Sequence, residues 1–536
     1  MLETKRPWAA GLALALLAAT GCYDFDTEFD DCLNDGQCLP STCDASAVDL
    51  PDDLFYDANC DEVDGTPGNA IFVDPNGQDS NAGTPEAPLK RLSVALRLAA
   101  SQGKAIYLAQ GTYDEEDLRM EQPVSIYGGY SGMASGWKRG REYVTRIGGK
   151  STTGFTVSGL MDADVTIQRV HIGSAASTVP GTPSIGLRVM DSSGVRLSHV
   201  EVEAGAGAPG QDGASPGPNP QGGADGGMGL DGTAGTPSGG ARGASSCGAG
   251  SHAGGMGGVG GTFGAAPATG TAGEPGPTDG GGTGGNPGTN KFDYPCDAGL
   301  CVCEGQNGGE GLPGEGGTRG KDGSPGDGTG VLEGNTWVAK SGTDGETGTV
   351  GKGGGGGGGG GYCEAPTVQC RGGGGGGGGA GGCPGLGAKG GQGGGASIAM
   401  LLIRGHVEMQ SCTLKTGGGG KGGAGGTGGA GSVGGPGGTG GKGDSKQYTS
   451  GTDTYRAISG AGGKGGKGGD GGPGGHGGNG GGGPSVGVWC DSPESSSVTP
   501  KGTTFGLKDA GAPGAGPGAR GNTGLLTNYH QCPGSP

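Results

Sequence analysis

The sequence predicts a mostly β chain, a parallel β-helix interrupted by long glycine-rich insertions. Two observations carry this. Short runs of alternating apolar residues return at fixed offsets, and 146 of 536 residues are glycine, against a usual share of about 7%. A third bounds the partners. The formal net charge is −18 and aromatics are 4% of the chain. So few large apolar groups cannot pack a core along the whole length, and nucleic acid would be repelled by the charge.

Residues 1–21 read as a lipoprotein signal peptide. Lys5 and Arg6 open it, and Ala9 to Ala19 is an apolar run too short to span a bilayer. Ala19-Thr20-Gly21-Cys22 follows. This set resembles the lipobox of bacterial lipoproteins, with Ala19 where leucine is usual. The resemblance implies cleavage before Cys22, lipidation of that cysteine, and a membrane partner through the lipid anchor. Tyr23, not aspartate, comes next, which implies the outer membrane, with the cell surface or the periplasmic face both open.

Residues 22–69 form an acidic tether with Cys32, Cys38, Cys43 and Cys60. Within it Asp57-x-Asn59-x-Asp61, followed by Asp64, sets oxygens at alternating positions, like the start of a calcium loop. The glycine is displaced to Gly65, and Gly68 offers no carboxylate at the twelfth place. Calcium is the one cofactor the sequence suggests, and a solvated acidic turn is the alternative.

The β-helix begins in 70–202. Ala70 to Asp74 is a short strand and Pro75-Asn76-Gly77 turns it. Leu89, Leu92, Ala95, Leu96 and Ala99 recur at helical spacing, and Ala105 to Leu108 is a second strand. The ordered set Phe72-Val73-Asp74, Gly77, Asp79, Asn81, Gly83-Thr84-Pro85, Pro88-Leu89 and Gly111-Thr112-Tyr113 resembles the entry segment of pectate-lyase-like right-handed β-helix proteins. Several such families have no assigned function. The resemblance implies that the helix caps the open end of a right-handed solenoid.

The coils follow from spacing alone. Phe155/Val157, Val165/Ile167 and Val170/Ile172 return as Ile185/Leu187, Val195/Leu197 and Val200/Val202. They return again as Ile398/Met400, Val407/Met409 and Cys412/Leu414 in the coil 398–414. A last coil and tail, 486–536, holds Val486/Val488, Val498, Thr503 and Phe505. Period-2 runs at fixed offsets are what stacked coils require. Aligning them makes 173–184, 203–397 and 415–485 connectors at one corner, so the glycine-rich insertions 203–397 and 415–485 emerge from one side.

From Lys421 to Lys442 nearly every third residue is the non-glycine one, and 461–479 repeats the pattern. Polyproline II has three residues per turn and no internal hydrogen bonds. Glycine at two positions in three lets such helices approach until backbone bonds to backbone, which reads 415–485 as a hairpin. These tracts are similar to PE-PGRS and collagen-like low-complexity sequences. Disorder and an interchain triple helix remain open beside the glycine bundle.

Export and an even count predict that the 14 cysteines other than Cys22 pair as disulfides. Seven lie in 203–397, so at least one should bridge to Cys412, Cys490 or Cys532; a buried free thiol at Cys412 is the other possibility.

No catalytic residue is assigned. Asp162, Asp191 and Asp491, with Arg404, fall in equivalent turns and read either as a ligand column or as corner chemistry. The hairpin tip 443–460 carries Lys446, Tyr448, Tyr455 and Arg456, residue types that dominate binding hot spots. Together these features predict a non-enzymatic envelope lipoprotein with a structural or adhesive role, its tip contacting a polysaccharide or cell-surface partner. The alternative is a carbohydrate-active β-helix enzyme, a lyase or glycoside hydrolase.

Overall fold

In the computed structural model of the chain, residues 44–245, 247 and 252–533 are described. The lipobox with Cys22, and Cys32, Cys38 and Cys43, lie outside them. No helix among the described residues is long and apolar enough to cross a membrane.

The chain is mostly β, with long parallel sheets that fit a parallel β-helix. The main sheet runs in the order Ala70–Val73, Ala105–Ala109, Ile126–Tyr130, Val165–Gln168, Ser184–Ser198, Ser397–Gln410, Ser485–Cys490, Leu526–His530. A second, six-stranded sheet orders Thr504–Gly506, Thr413–Thr416, Glu201–Ala204, His171–Gly173, Thr145–Gly148 and Gly111–Tyr113. Inward residues of both sheets meet in one core that includes Phe155, Val165, Ile172, Leu187, Val202, Met400 and Leu414.

Most coil pairings are those of the apolar repeat. Val195 lies beside Val165 and Val407, and Val202 beside Ile172 and Leu414. Ile185, Ile398 and Val486 stack in register. One pairing is corrected. Phe155 lies beside Leu187, not Ile185, and Val157 beside Val189. The first coil spends two more residues in its corner than the second, where Ser184–Ser198 runs through without a break. A slip of two leaves every side chain on its own face, so alternation alone could not detect it.

The corners explain the polar residues that recur there. Asp162, Asp191 and Arg404 all have left-handed backbone, with φ of 52°, 47° and 49°, as do Arg169, His199 and Ser411 at the next bend. Aspartate tolerates this region better than most residues.

The helix Leu92–Gln102 buries Leu92, Ala95, Leu96 and Ala99, and Gly103 ends it in left-handed geometry. Its first amides are bonded by a distant side chain: Glu115 Oε1 accepts from Leu92 N at 2.6 Å and Ser93 N at 3.3 Å.

Both glycine-rich segments leave the six-stranded sheet, after Ala204 and Thr416, and return to the main sheet at Ser397 and Ser485. Between these points they hydrogen-bond in steps of three residues. Gly373, Gly376, Gly379 and Gly382 donate to the carbonyls of Gly460, Gly463, Gly466 and Gly469. Gly374, Gly377 and Ala380 donate to Leu230, Gly227 and Ala224, and Gly372, Gly375 and Gly378 to Gly261, Gly258 and Gly255. Three faces of one segment therefore serve three neighbours, as three residues per turn require. Where every face meets backbone, every residue is glycine, as in 353–361 and 372–379. Where one face meets solvent, any side chain fits there: Val433 in 417–443 is 63% exposed.

The cysteine expectation is corrected in part. Cys247–Cys383, Cys296–Cys301, Cys303–Cys363 and Cys490–Cys532 are bridged, and Cys60 is disulfide-bonded. Cys370 and Cys412 are buried thiols. The seventh cysteine of 203–397, Cys370, thus forms no bridge outside it: Cys490 and Cys532 take each other, and Cys412 is buried in the main core while Cys370 is buried in a separate cluster. Cys412 lies on the inner face of a coil, where its sulfur meets the backbone carbonyls of Leu197 and Gln410.

Candidate functional site at the far end of the glycine bundle

The bonding ladders place the ends of the segments. Gly207 pairs with Gly418 next to the sheets, and Gly232 pairs with Lys442 at the other limit. The turns 233–236, 262–265, 289–304, 362–371 and 443–459 therefore gather at the end of the bundle remote from the two parallel sheets. Seven aromatic residues occur in 203–485: Phe263, Phe292, Tyr294, Trp337, Tyr362, Tyr448 and Tyr455. Six lie in these remote turns. The seventh, Trp337, packs at 6.4 Å from Trp489 over the main sheet.

The remote turns are built as a small sheet. Leu300–Glu304 pairs antiparallel with Cys296–Asp297 and parallel with Asp453–Ile458, which pairs with Ser445–Ser450. Tyr448 lies opposite Tyr455, with rings stacked at 5.9 Å, and Tyr294 meets Tyr455 at 6.2 Å. Phe263 and Phe292 flank the buried Tyr362 at 6.4 and 6.3 Å, and are themselves 63% and 60% exposed. Two bridges, Cys296–Cys301 and Cys303–Cys363, tie these turns together. Burial and the Glu364 carboxylate push the phenols of Tyr294 and Tyr362 up to about 12, so both stay neutral.

Of the tip residues singled out from sequence, Tyr448 and Tyr455 are half-buried and brought together, while Arg456 is exposed on the same strand. Lys446 is bound back to Asp444 at 3.1 Å and to the Gln369 carbonyl. Phe263, Phe292, Tyr294 and Tyr362 were not singled out. Their sequence separations hide the proximity, though the scarcity of aromatics in 203–485 was a usable signal.

The acidic run of the tether behaves differently. Asp57 and Asn59 accept from the Asp61 amide, Asp57 also from that of Glu62, and Asp61 from that of Val63. Asp64 is elsewhere, buried on Arg139 at 2.9 Å with 2% side-chain exposure. Arg139 further donates to Asp52 O, Gly128 O and Gln168 Oε1, and lies within 6 Å of the Phe55, Tyr127 and Tyr130 rings. Among the described residues no group of three acidic, histidine or cysteine side chains could hold a metal ion.

Burial lifts the Asp64 carboxyl to about 6, against the pull of Arg139. With a folded pKa above the unfolded value, the protonated form favours the fold. Stability from this group is present below about pH 4 and is lost as pH rises to about 6, by up to about 3 kcal/mol. Thermal unfolding followed from pH 4 to 7 should show this slope, and Asp64→Asn should flatten it. An equal slope in the variant would assign the effect to another group.

Asp191 and Arg404 form a paired contact, with Arg404 Nη2 to Asp191 Oδ2 at 3.0 Å, and Asp491 accepts from the Arg404 amide and from Ser492, Ser495 and Ser496. Asp191 and Asp491 are thus both engaged with Arg404 of the adjoining coil, and Asp491 also with serines of its own turn. A separate polar group lies on the six-stranded sheet: His171 Nδ1 is 3.6 Å from Glu201, which Lys415 reaches at 2.8 Å, with Arg146 beside His171.

A family model described as "Protein of unknown function (DUF1565)" matches residues 75–180. That span begins just after the strand Ala70–Val73, holds the helix Leu92–Gln102, the strand Ala105–Ala109 and the first full coil, and stops short of both glycine-rich segments. No curated protein and no solved structure matches the chain.

Proposed function

We propose that this chain is an envelope lipoprotein, anchored at Cys22 in the outer membrane, whose role is structural or adhesive. In this reading a right-handed β-helix, capped by Leu92–Gln102, is the platform. The glycine-rich insertions form a polyproline-II-like bundle that carries a contact surface away from the membrane. One observation carries the proposal: six of the seven aromatics in 203–485 are concentrated at the remote end, although the bundle itself is held by backbone hydrogen bonds and needs none of them. Large exposed rings on a rigid support are features of binding surfaces. At 3.1 Å per residue, the 22 residues of 421–442 give roughly 70 Å of reach.

Whole-cell and glycan binding should fall at least tenfold when 443–460 is replaced by a glycine-serine loop, with the β-helix still folded. Unchanged binding would remove the remote end from the reading. Cys22→Ala should move the protein out of the detergent phase, and retention there would count against the lipid anchor.

The second reading, a carbohydrate-active enzyme, is favoured by one observation, the Arg146, His171, Glu201 and Lys415 group. It requires release of unsaturated uronate or reducing sugar that His171→Ala abolishes.

A further inference from the structure

At the remote end, the 291–295 turn and the strand Leu300–Glu304 enclose an open groove of about 1110 Å³, lined by Lys291, Phe292, Asp293, Tyr294, Val302 and Glu304. We infer that this groove binds a neutral or amine-bearing saccharide chain and discriminates against acidic polysaccharide. The inference rests on the remote-end reading above and names the ligand class for it.

The argument is chemical. The groove is larger than the roughly 300–1,000 Å³ of a compact ligand pocket and open to solvent, which leaves room for more than one unit of a chain. Its apolar element is Phe292, an exposed ring lying against buried Tyr362. Such a ring offers a flat face to the C–H face of a sugar. An aliphatic or aromatic protein anchor would instead need an enclosed pocket, and the groove is open. The polar elements are two carboxylates, Asp293 and Glu304, and one ammonium, Lys291. None of the three has an ion-pair partner among the described residues. Carboxylates accept hydrogen bonds from hydroxyl and ammonium groups alike. With two negative charges to one positive, a uronate chain meets net repulsion and an aminosugar chain net attraction. The support is preorganised, because Cys296–Cys301 and Cys303–Cys363 fix both walls, so little ordering opposes binding.

The test is titration calorimetry of the full lipidated chain in detergent with three probes: cellohexaose, a glucosamine hexamer and a galacturonate hexamer. Wild type should bind the first two at least tenfold more tightly than the third. Phe292→Ala, at an exposed position, should weaken both at least tenfold with the bridges intact by peptide mapping. Asp293→Asn with Glu304→Gln should erase the preference for glucosamine over cellohexaose. Tightest binding of the galacturonate hexamer, or affinities unmoved within twofold by Phe292→Ala, would overturn the inference. Cell binding that is lost with the 443–460 replacement but unmoved by Phe292→Ala overturns the groove and leaves the remote-end reading standing. Cell binding unmoved by both removes both.

Discussion

Alanine at Gly376 is expected to open the glycine bundle. A Cβ built there would lie 2.0 Å from the carbonyl oxygen of Gly438, a backbone atom that cannot swing aside. The segments 372–395 and 417–443 would have to part. The neighbouring bonds Gly438 N to Gly377 O and Gly441 N to Gly374 O, both 2.8 Å, would then lengthen or break. Two or three buried backbone groups left unpaired amount to about 3–5 kcal/mol. Hydrogen exchange over 372–395 should accelerate by two or more orders of magnitude. The control is Gly316→Ala, where a Cβ would sit 3.6 Å from the Asp470 carbonyl oxygen, in ordinary contact. It should change stability by no more than about 0.5 kcal/mol. Equal protection in the two variants would mean that the segments are not close-packed.

Arg139→Met should release residues 44–66 from the parallel sheets. Arg139 has no exposed side-chain surface and satisfies four acceptors, two from the tether at Asp52 and Asp64 and two from the coils at Gly128 and Gln168. Removing it leaves Asp64 buried without a counter-charge, at about 3–5 kcal/mol. Brief proteolysis should then cut within 44–66 while 70–202 stays intact. Arg139→Lys should restore only part of the loss, since one ammonium cannot serve acceptors arranged for a fork. If cleavage is unchanged in Arg139→Met, the tether is held instead by Val63 and by Tyr130, whose hydroxyl bonds the Asp64 carbonyl.

The parallel architecture was legible because it is a local pattern repeated. Alternation in Val195/Leu197 or Val407/Met409 states which residues face inward, and fixed spacing states which coils stack. The two-residue correction at Phe155 shows the limit: a period of two carries no information about a shift of two. The threefold glycine pattern was legible for the same reason, since a repeat exposes its own turn. It predicted backbone-to-backbone packing within 415–485.

What tertiary structure alone decided lies between distant residues. Nothing in the sequence sets Asp64 on Arg139 rather than beside Asp57, because burial and the competing cation come from a coil 75 residues away. Nothing local brings Phe263, Phe292 and Tyr362 together, since each sits in a different turn of glycine segments whose neighbours are chosen by bundle packing. The bridged partners of Cys490 and Cys363 were likewise undetermined, as counting cysteines bounds how many pair and not which. Repeats therefore determined the fold, because each strand or glycine turn carries its own periodicity. The site was left to packing, because its residues share no period and meet only where segments of different length turn at the same end.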